Sequence, residues 1–466
     1  MIVKVGVIGI GTVPQLMHLP ILSGLHEQYQ ITAVSDISPT QLAFIAKKYN
    51  ATPYTDPYEL VKDPNVDAVF VCSPDQYHAA YALAAMEAGK HVFVEKPVTL
   101  CMEDLEKLIA AEKAHPELVC MVGYMRRYGN GFLKCKELLQ ADDRKIEYMR
   151  FRDIILEGDF FMGQTRLPYL SSDIPQSAKE ESGRLRREQV GRALGEGCTE
   201  QQRITYVMLT GLGCHTLAAV RELVGLPVEI ESVSVQGEHV VIVFRYEDFL
   251  AVYEIVNDQD VVQFDAAIEI YQHDRRMKIK YETPYLRYQP QTFEVIESTK
   301  NDTKTTLYGP DYRDAFENEV KYYHDCIVNG TKPKSDFSDA MADLKLFRDI
   351  CMNQGVIRMD ESLLQRYISQ QSAVWKALLD KRESLTAPFA VLEPKPDRVI
   401  LIGSGSSHYA ALMARPVLEQ AFGVEVSCFV PSQEEQLIRC RAAHPLYIAV
   451  SQSGISTNTY TLIRSL

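Results

Sequence analysis

A glycine-rich turn between a strand and a helix is the sequence feature that most constrains the fold. Residues 2–8 are mainly aliphatic and β-branched and predict a buried strand, and Gly9-Ile10-Gly11 follows it directly. A helical pattern starts near Thr12 and Val13. Two glycines allow a sharp turn and the close approach of a ligand, and the new helix points free N–H groups at a phosphate. This stretch therefore predicts a dinucleotide-binding turn.

The end of the second predicted strand carries an acidic residue. Residues 31–35 predict this strand, and Asp36 follows it. A carboxylate there can accept hydrogen bonds from a ribose diol and would repel a 2′-phosphate, which favours NAD over NADP without excluding NADP. Asp36 can equally be a turn or capping residue before Ser38-Pro39, and both roles are compatible.

An alternation of strands and helices continues beyond this point. Further strands are predicted at residues 52–54, 67–72, 91–95 and 118–122, with helices at 38–49, 77–88 and 102–114. Such alternation predicts an α/β domain with a parallel, doubly wound sheet and a dinucleotide across its switch point.

Lys96 stands at the end of one of these strands, in Glu95-Lys96-Pro97. Ligands of open α/β sheets bind at the C-terminal ends of the strands. A lysine fixed there can donate to a substrate oxygen or move a proton. These few residues alone favour the simpler interpretation, a solvated lysine in a loop.

The pattern changes after residue 145. Short β-rich stretches predict an α+β second domain with an open, mostly antiparallel sheet; they lie at residues 146–156, 228–236, 239–246, 249–256, 264–271, 275–281 and 292–298. Amphipathic helices are predicted at 311–329 and 336–352, packed back on the first domain. The long polar stretch 158–204 is interpreted as a functional loop or as a disordered surface loop.

Composition limits the classes of partner. A chain of 466 residues should hold about three domains. A net charge of -13 argues against nucleic acid or an anionic membrane as partner. Ten scattered cysteines without a C-x-x-C pair favour reduced thiols and a cytoplasmic location, with no metal site predicted. No stretch approaches the roughly 20 apolar residues of a membrane span.

Several motifs together resemble the glucose–fructose oxidoreductase/inositol dehydrogenase/MocA (Gfo/Idh/MocA) family. They are Val7-Ile8-Gly9-Ile10-Gly11, His18-Leu19-Pro20, Ser73-Pro74 with His78, Glu95-Lys96-Pro97 and Gly123-Tyr124-Met125-Arg126-Arg127-Tyr128. The resemblance covers about residues 1–355. It implies a Rossmann domain at 1–125 and a substrate and oligomerisation domain at 126–355, whose sheet would form a homo-oligomer interface.

The resemblance also implies a function. It predicts an NAD(P)-dependent oxidoreductase acting on a sugar, an inositol or a phospho- or amino-sugar derivative. The implied cofactor-binding residues are Gly9, Gly11, Thr12, Val13, Asp36, Ser73, Pro74, His78, Glu95 and Lys96.

The implied catalytic pair is Lys96 and His215, with two departures from the family pattern. The family has an Asp four residues before the His, where this chain has Gly211, and another three residues after it, where this chain has Ala218. His215 would be the general base and Lys96 would polarise the oxygen. His215 as a packed helix residue is the simpler alternative. A non-catalytic NAD(P)- or sugar-sensing regulator and an NAD-dependent glycosidase are the alternative functions.

The C-terminal residues carry a second resemblance. A helix at 362–382 lies in a linker at 356–395, and residues 396–466 resemble the start of a sugar isomerase (SIS) domain. That family binds phosphosugars at two hydroxyl-rich turns, which match Ser404, Ser406, Ser407, Ser451, Ser453 and Ser456. About 70 residues are too few for such a domain, so no isomerase activity is expected.

Overall fold

A computed structural model of the chain describes residues 1–155, 158–164, 167–257, 262–354, 393–403, 406–430 and 442–450. The chain divides into two compact units, Met1–Arg358 and Met359–Leu466. The predicted Rossmann and substrate domains both lie in the first unit.

The nucleotide-binding domain contains the predicted parallel sheet. Its strands are β1 (Val3–Ile8), β2 (Tyr29–Ser35), β3 (Thr52–Tyr54), β4 (Ala68–Val71), β5 (His91–Glu95) and β6 (Cys120–Gly123). All pairs are parallel and the order is β3-β2-β1-β4-β5-β6. The strand order reverses between β1 and β4, where a doubly wound sheet opens a crevice for a ligand. The predicted Rossmann architecture is therefore confirmed.

The second sheet has eight strands. They are β7 (Ile146–Ile155), β8 (Glu229–Gln236), β9 (His239–Arg245), β10 (Leu250–Asn257), β11 (Asp265–Gln272), β12 (Arg275–Tyr281), β13 (Gln291–Ser298) and β14 (Thr303–Asp311). Their order is β14-β13-β12-β11-β7-β10-β9-β8, and only the β7–β10 pair is parallel. The mostly antiparallel sheet is confirmed, and β14 is a strand that the sequence did not predict.

Twelve α-helices of the first unit, among the residues described, surround the two sheets. They are α1 (Leu19–Gly24), α2 (Pro39–Tyr49), α3 (Pro57–Leu60), α4 (His78–Glu87), α5 (Met102–Ala114), α6 (Asn130–Gln140), α7 (Asp159–Gly163), α8 (Gln176–Leu194), α9 (Glu200–Met208), α10 (Cys214–Val224), α11 (Ala315–Asn329) and α12 (Phe337–Met352). The interpretation of 158–204 as a disordered loop is wrong, because this stretch contains α7, α8 and the start of α9.

Side-chain alternation along β5 sets the positions of the residues that follow it. Val94 packs into the core on one face of the sheet. Phe93 packs on the other face, where its ring centroid lies 5.4 Å from that of His18. Because successive side chains of a strand point to opposite faces, Glu95 continues the face of Phe93 and Lys96 that of Val94.

One helical run of the first unit is apolar enough to span a membrane by length and composition. It covers Glu200–Val224, and an 18-residue window within it has a mean hydropathy of 1.2. Half of this window is buried within the fold, as in the core helix of a globular domain. The run departs from the expectation that no stretch would approach such a length.

The second unit contains a small parallel sheet. Strands β15 (Arg398–Ile402), β16 (Glu425–Phe429) and β17 (Pro445–Ala449) pair in the order β16-β15-β17, and α13 (Ser406–Phe422) connects the first two. Ser406 begins α13 and Ser407 follows it, half-buried. Four predicted site residues and the predicted helix lie outside the described residues; these are Ser404, Ser451, Ser453, Ser456 and residues 362–382.

Candidate active site

The glycine turn has the geometry that a dinucleotide requires. Gly9 has φ +81°, and a Cβ atom on it would lie 2.6 Å from the backbone of Ser73. A side chain at Gly9 is therefore excluded by conformation and by space. A Cβ on Gly11 would meet open space, which leaves room for a phosphate close to the backbone. Helical structure begins at Thr12, as predicted, and continues through a π-helical turn, Pro14–His18, into α1 (Leu19–Gly24). Thr12 and Val13 therefore lie in its first turn.

Asp36 lies at the switch point and is held by the glycine turn. Its carboxylate accepts hydrogen bonds from the backbone N–H groups of Ile10, at 3.0 Å, and Ser38, at 2.9 Å. Ser38 in turn caps α2 through its side chain. The Gln41 amide also donates, at 3.4 Å, to the oxygen that accepts from Ile10. The oxygen that accepts from Ser38 has capacity for a further donor, so Asp36 can fix the turn and still face a ribose. The two roles predicted for this residue are thus compatible.

A cleft of about 330 Å³ opens beside Asp36. Its walls include Gly9, Ser73 and Pro74 from the first domain, together with Tyr77 and Tyr81. The cleft therefore brings together the glycine turn, the acidic residue after β2 and the loop after β4, which are three parts of the predicted cofactor site.

His78 holds two loops beside this cleft in position. The ring is buried, with one nitrogen 2.7 Å from the carbonyl oxygen of Pro97 and the other 2.7 Å from that of Ser73. Both nitrogens are thus engaged with the backbone. His78 ties the loop after β4 to the loop after β5, so its effect on a cofactor would act through the positions of these loops.

The Glu95 carboxylate makes its hydrogen bonds on the face of the sheet opposite to the Lys96 side chain. Nε2 of the buried His18 lies 2.6 Å from its Oε1 atom, and the N–H of Lys96 donates to Oε2 at 3.1 Å. Burial acts to raise the pKa of the Glu95 carboxyl, but the His18 bond and the positive charge of Lys96 hold it below the usual 4.5. Glu95 is therefore an anion that fixes the backbone at Lys96.

Lys96 reaches the helical segment that precedes His215. Its ammonium donates a 2.5 Å hydrogen bond to the carbonyl oxygen of Gly211. Gly211 lies in a π-helical turn, Leu209–Gly213, directly before α10. Such turns occur frequently at functional sites. An ammonium has three donors, so two remain for a substrate oxygen. Lys96 is therefore fixed and partly buried, and is not the solvated loop residue that the local sequence favoured.

His215 lies in the first turn of α10, near the Lys96 ammonium. The residue is half-buried, and its Nδ1 atom is enclosed without a hydrogen-bond partner among the described residues. Desolvation, and then the charges of Lys96 and Arg126, lower the pKa of His215 well below 6.5. The imidazole is therefore neutral and can accept a proton, although no carboxylate in the described part of the chain bonds to its Nδ1 atom.

Arg126 is a site residue that the sequence reasoning did not single out. Its buried guanidinium donates to Asp153 at 2.6 Å and to the hydroxyl of Thr216, the neighbour of His215. Tyr253 donates to the second oxygen of Asp153 at 2.8 Å. The Gly123–Tyr128 motif was the available signal, but it gave no partner for Arg126. The structure thus places a second fixed cation beside His215.

Glu319, on α11, is a fully buried acid close to Glu95. Burial first, and then the charge of Glu95, raise its pKa well above the usual 4.5. The Glu319 carboxyl therefore holds its proton to higher pH than a free carboxyl does, whereas the pKa of Glu95 is lowered. Two acids with such different environments are typical of functional sites, although buried structural groups shift in the same way.

Replacing Glu319 with glutamine should flatten the dependence of stability on pH. In the folded chain Glu319 stays protonated above pH 4.5, whereas in the unfolded chain it ionises. Stability is therefore lost as pH rises from 4.5 toward the raised pKa, and an amide removes this loss. Thermal unfolding at pH 5 and pH 8 measures it, with Glu317→Gln as the control on the same helix. Equal pH dependence in the Glu319→Gln variant and the unaltered chain would contradict a neutral Glu319.

Comparison with protein families gives one match. Residues 3–124 match the model of GFO_IDH_MocA, described as an oxidoreductase family with an NAD-binding Rossmann fold. Residues 3–124 are therefore similar to that family. The predicted resemblance is confirmed for this domain, and the match supports a nicotinamide dinucleotide as its cofactor. The sugar isomerase resemblance of residues 396–466 stays a prediction.

Curated relatives match over a similar part of the chain. The inositol 2-dehydrogenase/D-chiro-inositol 3-dehydrogenase of Shouchella clausii is 38% identical over 144 residues, which are 30% of this chain and 41% of that protein. The myo-inositol 2-dehydrogenase of Thermotoga maritima is 35% identical over 29% of this chain and 40% of that protein. The chain thus spans about two fifths of the length of the curated relatives it matches.

Solved structures extend the likeness in fold to the second domain. The 3-ketoreductase KijD10 of Actinomadura kijaniata, in complex with NADP and TDP-benzene, has a TM-score of 0.58 and 16% identity over 76% of this chain and 98% of that one. The UDP-N-acetylglucosamine 3-dehydrogenase GnnA of Acidithiobacillus ferrooxidans has a TM-score of 0.57 and 18% identity over 77% and 99%. At this identity the likeness shows the fold of the Rossmann and sheet domains.

Proposed function

We propose that the protein is an NAD(P)-dependent oxidoreductase that transfers hydride between the nicotinamide and a hydroxyl or keto carbon of a sugar, an inositol or a phospho- or amino-sugar derivative. One observation carries the proposal: the Lys96 ammonium lies 2.5 Å from the Gly211 carbonyl oxygen, four residues before His215. The Lys96 cation and the neutral base His215 therefore lie near each other at the C-terminal edge of the nucleotide-binding sheet.

The residues around the cleft fit a dinucleotide. Gly9, Gly11 and the first helical turn would hold the pyrophosphate, and Asp36 with Ser73 and Pro74 would hold the adenosine half. The Asp36 carboxylate favours NAD, and NADP is not excluded. When bound, the nicotinamide supplies or accepts the hydride.

Lys96 and His215 would handle the oxygen and its proton. The two free donors of the Lys96 ammonium would bind the substrate oxygen and stabilise the negative charge that develops on it. The neutral His215 ring would take the hydroxyl proton during oxidation and return it during reduction. Arg126 keeps its charge through Asp153 and would help to keep His215 neutral.

A recess of mixed polar and apolar lining beside Arg126 offers polar groups to a hydroxyl-rich substrate. Its lining includes Glu282, Thr283 and Gln289, which offer carboxylate, hydroxyl and amide groups. Such groups can bind several hydroxyls at once, as a sugar or inositol requires.

The direct test is reduction of NAD and NADP by the purified chain, with sugars, inositols and their phosphates offered as separate substrates. Formation of NADH or NADPH with one of these substrates supports the oxidoreductase. Cofactor binding without turnover on any of them would contradict it and favour a dinucleotide-sensing regulator. The regulator is favoured by one observation: Gly211 supplies a carbonyl where the family pattern has an acid, so no carboxylate orients His215.

Activity should persist to a lower pH than is usual for a histidine base. The lowered pKa of His215 keeps its ring neutral below pH 6.5, so the acid limb of kcat/KM should lie below that value. Gly211→Asp would place a carboxylate near His215, where a Cβ meets open space, and should move this limb to higher pH. Gly211→Asn is the uncharged control. An acid limb at the same pH in all three proteins would contradict the role of His215.

We further propose that the second sheet forms a homo-oligomer interface, that the location is cytoplasmic, and that residues 396–466 are the start of a sugar isomerase-like domain. The last proposal is supported by the parallel order β16-β15-β17 and by the turn at Gly403, where a Cβ would lie 3.0 Å from the backbone of Ser407. Size measurement by light scattering tests the oligomer.

A further inference from the structure

The polar stretch after β7 crosses the mouth of the cofactor cleft. We call residues 167–194 the crossing segment; it comprises an extended part, 167–175, and helix α8 (Gln176–Leu194). Ile174, Ala178, Lys179 and Ser182 of this segment line the cleft opposite Asp36. The cleft therefore has a wall that comes from outside the Rossmann domain.

The first end of the crossing segment is bonded to the helices around the glycine turn. Gln15, which is buried just after this turn, accepts from the N–H of Tyr169 at 2.8 Å and donates to its carbonyl oxygen at 2.8 Å. The rings of Tyr169 and Phe44 stack with centroids 4.4 Å apart. These contacts hold the segment to α2 and to the helix of the phosphate-binding turn.

Asp173 completes this attachment. Its carboxylate accepts from the hydroxyl of Ser38 and, at 3.0 Å, from the N–H of Thr40. These bonds lower its pKa well below the usual range, so Asp173 is an anion at the N-terminus of α2. The attachment therefore lies next to the turn that contains Asp36.

The second end is bonded to the opposite side of the cleft. Gln76 donates to the hydroxyl of Ser182 and accepts at its carbonyl oxygen, at 2.8 Å, from the amide of Gln189. Arg186 pairs with Asp75 at 3.0 Å. Because the segment is attached on both sides, the adenosine half of the cleft cannot open without breaking one set of bonds.

We propose that the crossing segment is the outer wall of the adenosine site and retains the dinucleotide after it binds. This inference rests on the proposed function, because it requires that the cleft holds NAD(P). Ile174 and Ala178 would cover the adenine, and release would require the detachment of one end. Dissociation of the dinucleotide is then slow, and breaking either attachment accelerates it.

The test measures the rate at which bound NADH is displaced by excess NAD, followed by NADH fluorescence in the full chain. Asp173→Ala and Arg186→Ala break the attachments on opposite sides, and each should accelerate release by roughly fivefold or more. Ala178→Leu fills the cleft without touching an attachment and should weaken NADH binding. Glu188→Ala is the control, because Glu188 pairs with Arg184 within the exposed face of α8.

Both attachment variants must release NADH faster. The Asp173→Ala variant alone does not suffice, because Asp173 also contacts the turn that carries Asp36. Equal release rates in the unaltered chain and both attachment variants would overturn the inference and leave the proposed function intact. Failure of the unaltered chain to bind NADH or NADPH would overturn both.

Limited proteolysis gives a second measurement that needs no variant. Tyr169 and Leu170 are exposed, with 40% and 57% of their surface accessible, and both are chymotrypsin sites. NADH should slow cleavage after these residues, because it stabilises the attached state. Cleavage there at the same rate with and without saturating NADH would contradict retention by the segment.

Discussion

Replacing Lys96 with Met should lower kcat by roughly 10²–10⁴-fold, the range expected when a positioned proton-transfer or charge-stabilising group is lost. The rate falls because methionine cannot donate a hydrogen bond to the reacting oxygen. NADH binding should fall much less than kcat, since the glycine turn and the adenosine cleft lie outside this substitution. Steady-state kinetics and NADH fluorescence titration measure the two effects separately.

A second readout distinguishes chemistry from structure in this variant. The charge of Lys96 helps to lower the pKa of His215, so its removal should move the acid limb of the residual activity to higher pH. Lys96→Arg keeps the charge but not the compact ammonium and should recover only part of kcat.

The matched control is Lys90→Met, at the other end of the same strand. The Lys90 ammonium also donates to backbone carbonyls, at 2.7 Å to Val66 and 3.0 Å to Asp63, but lies away from the cleft. The Lys90→Met substitution should lower the stability of the protein without changing the kcat of the folded enzyme. An active Lys96→Met enzyme with an unchanged pH profile would refute the catalytic assignment and favour the regulator.

The parts of the fold that the sequence predicted are those with a local signal. Buried parallel strands such as β5 are continuous apolar runs, and helix α5 (Met102–Ala114) has the predicted bounds because its apolar spacing is regular. Strand β14 was missed because its residues are mostly exposed and polar at the edge of the sheet. Helix α8 was missed because its sequence is mostly polar, and its position depends on bonds to residues more than 100 positions away.

The same distinction applies to the site. Gly9, Asp36 and Lys96 could be singled out because each follows a strand, and strand ends converge at the edge of a parallel sheet. The bond from Lys96 to Gly211 joins residues 115 positions apart, and the sequence identified Gly211 only as a missing acid. That its carbonyl would accept the lysine depends on the π-helical turn, which has no recognisable sequence pattern.

Replacing Arg127 with Met should destabilise the first unit by roughly 3–5 kcal/mol, because it leaves buried carboxylates without their partner. Arg127 is 2% exposed and pairs with Glu222, and with Asp339 at 2.5 Å. Burial opposes its charge, but these two acids raise its pKa above the usual 12.5. Arg221 also binds Asp339, at 2.7 Å.

This cluster connects the turn after β6 with α10 and α12, so its loss should also affect catalysis. Glu222 and Arg221 lie on α10, two turns beyond His215. A shift of α10 would move His215 relative to Lys96, and displacements of about 1 Å can cost roughly 100-fold in rate. The Arg127→Met enzyme should therefore have a lower kcat even at temperatures where it stays folded.

Urea unfolding followed by far-ultraviolet circular dichroism measures the loss of stability. Tryptophan fluorescence would not, because the single tryptophan, Trp375, lies outside the described residues. Arg184→Met is the control: its guanidinium pairs with Glu181 and Glu188 on the exposed face of α8, and such pairs contribute little. Equal unfolding midpoints for the Arg127 and Arg184 variants would show that the cluster neither stabilises the unit nor fixes α10, and the position of His215 would then have to depend on Arg126 and Thr216.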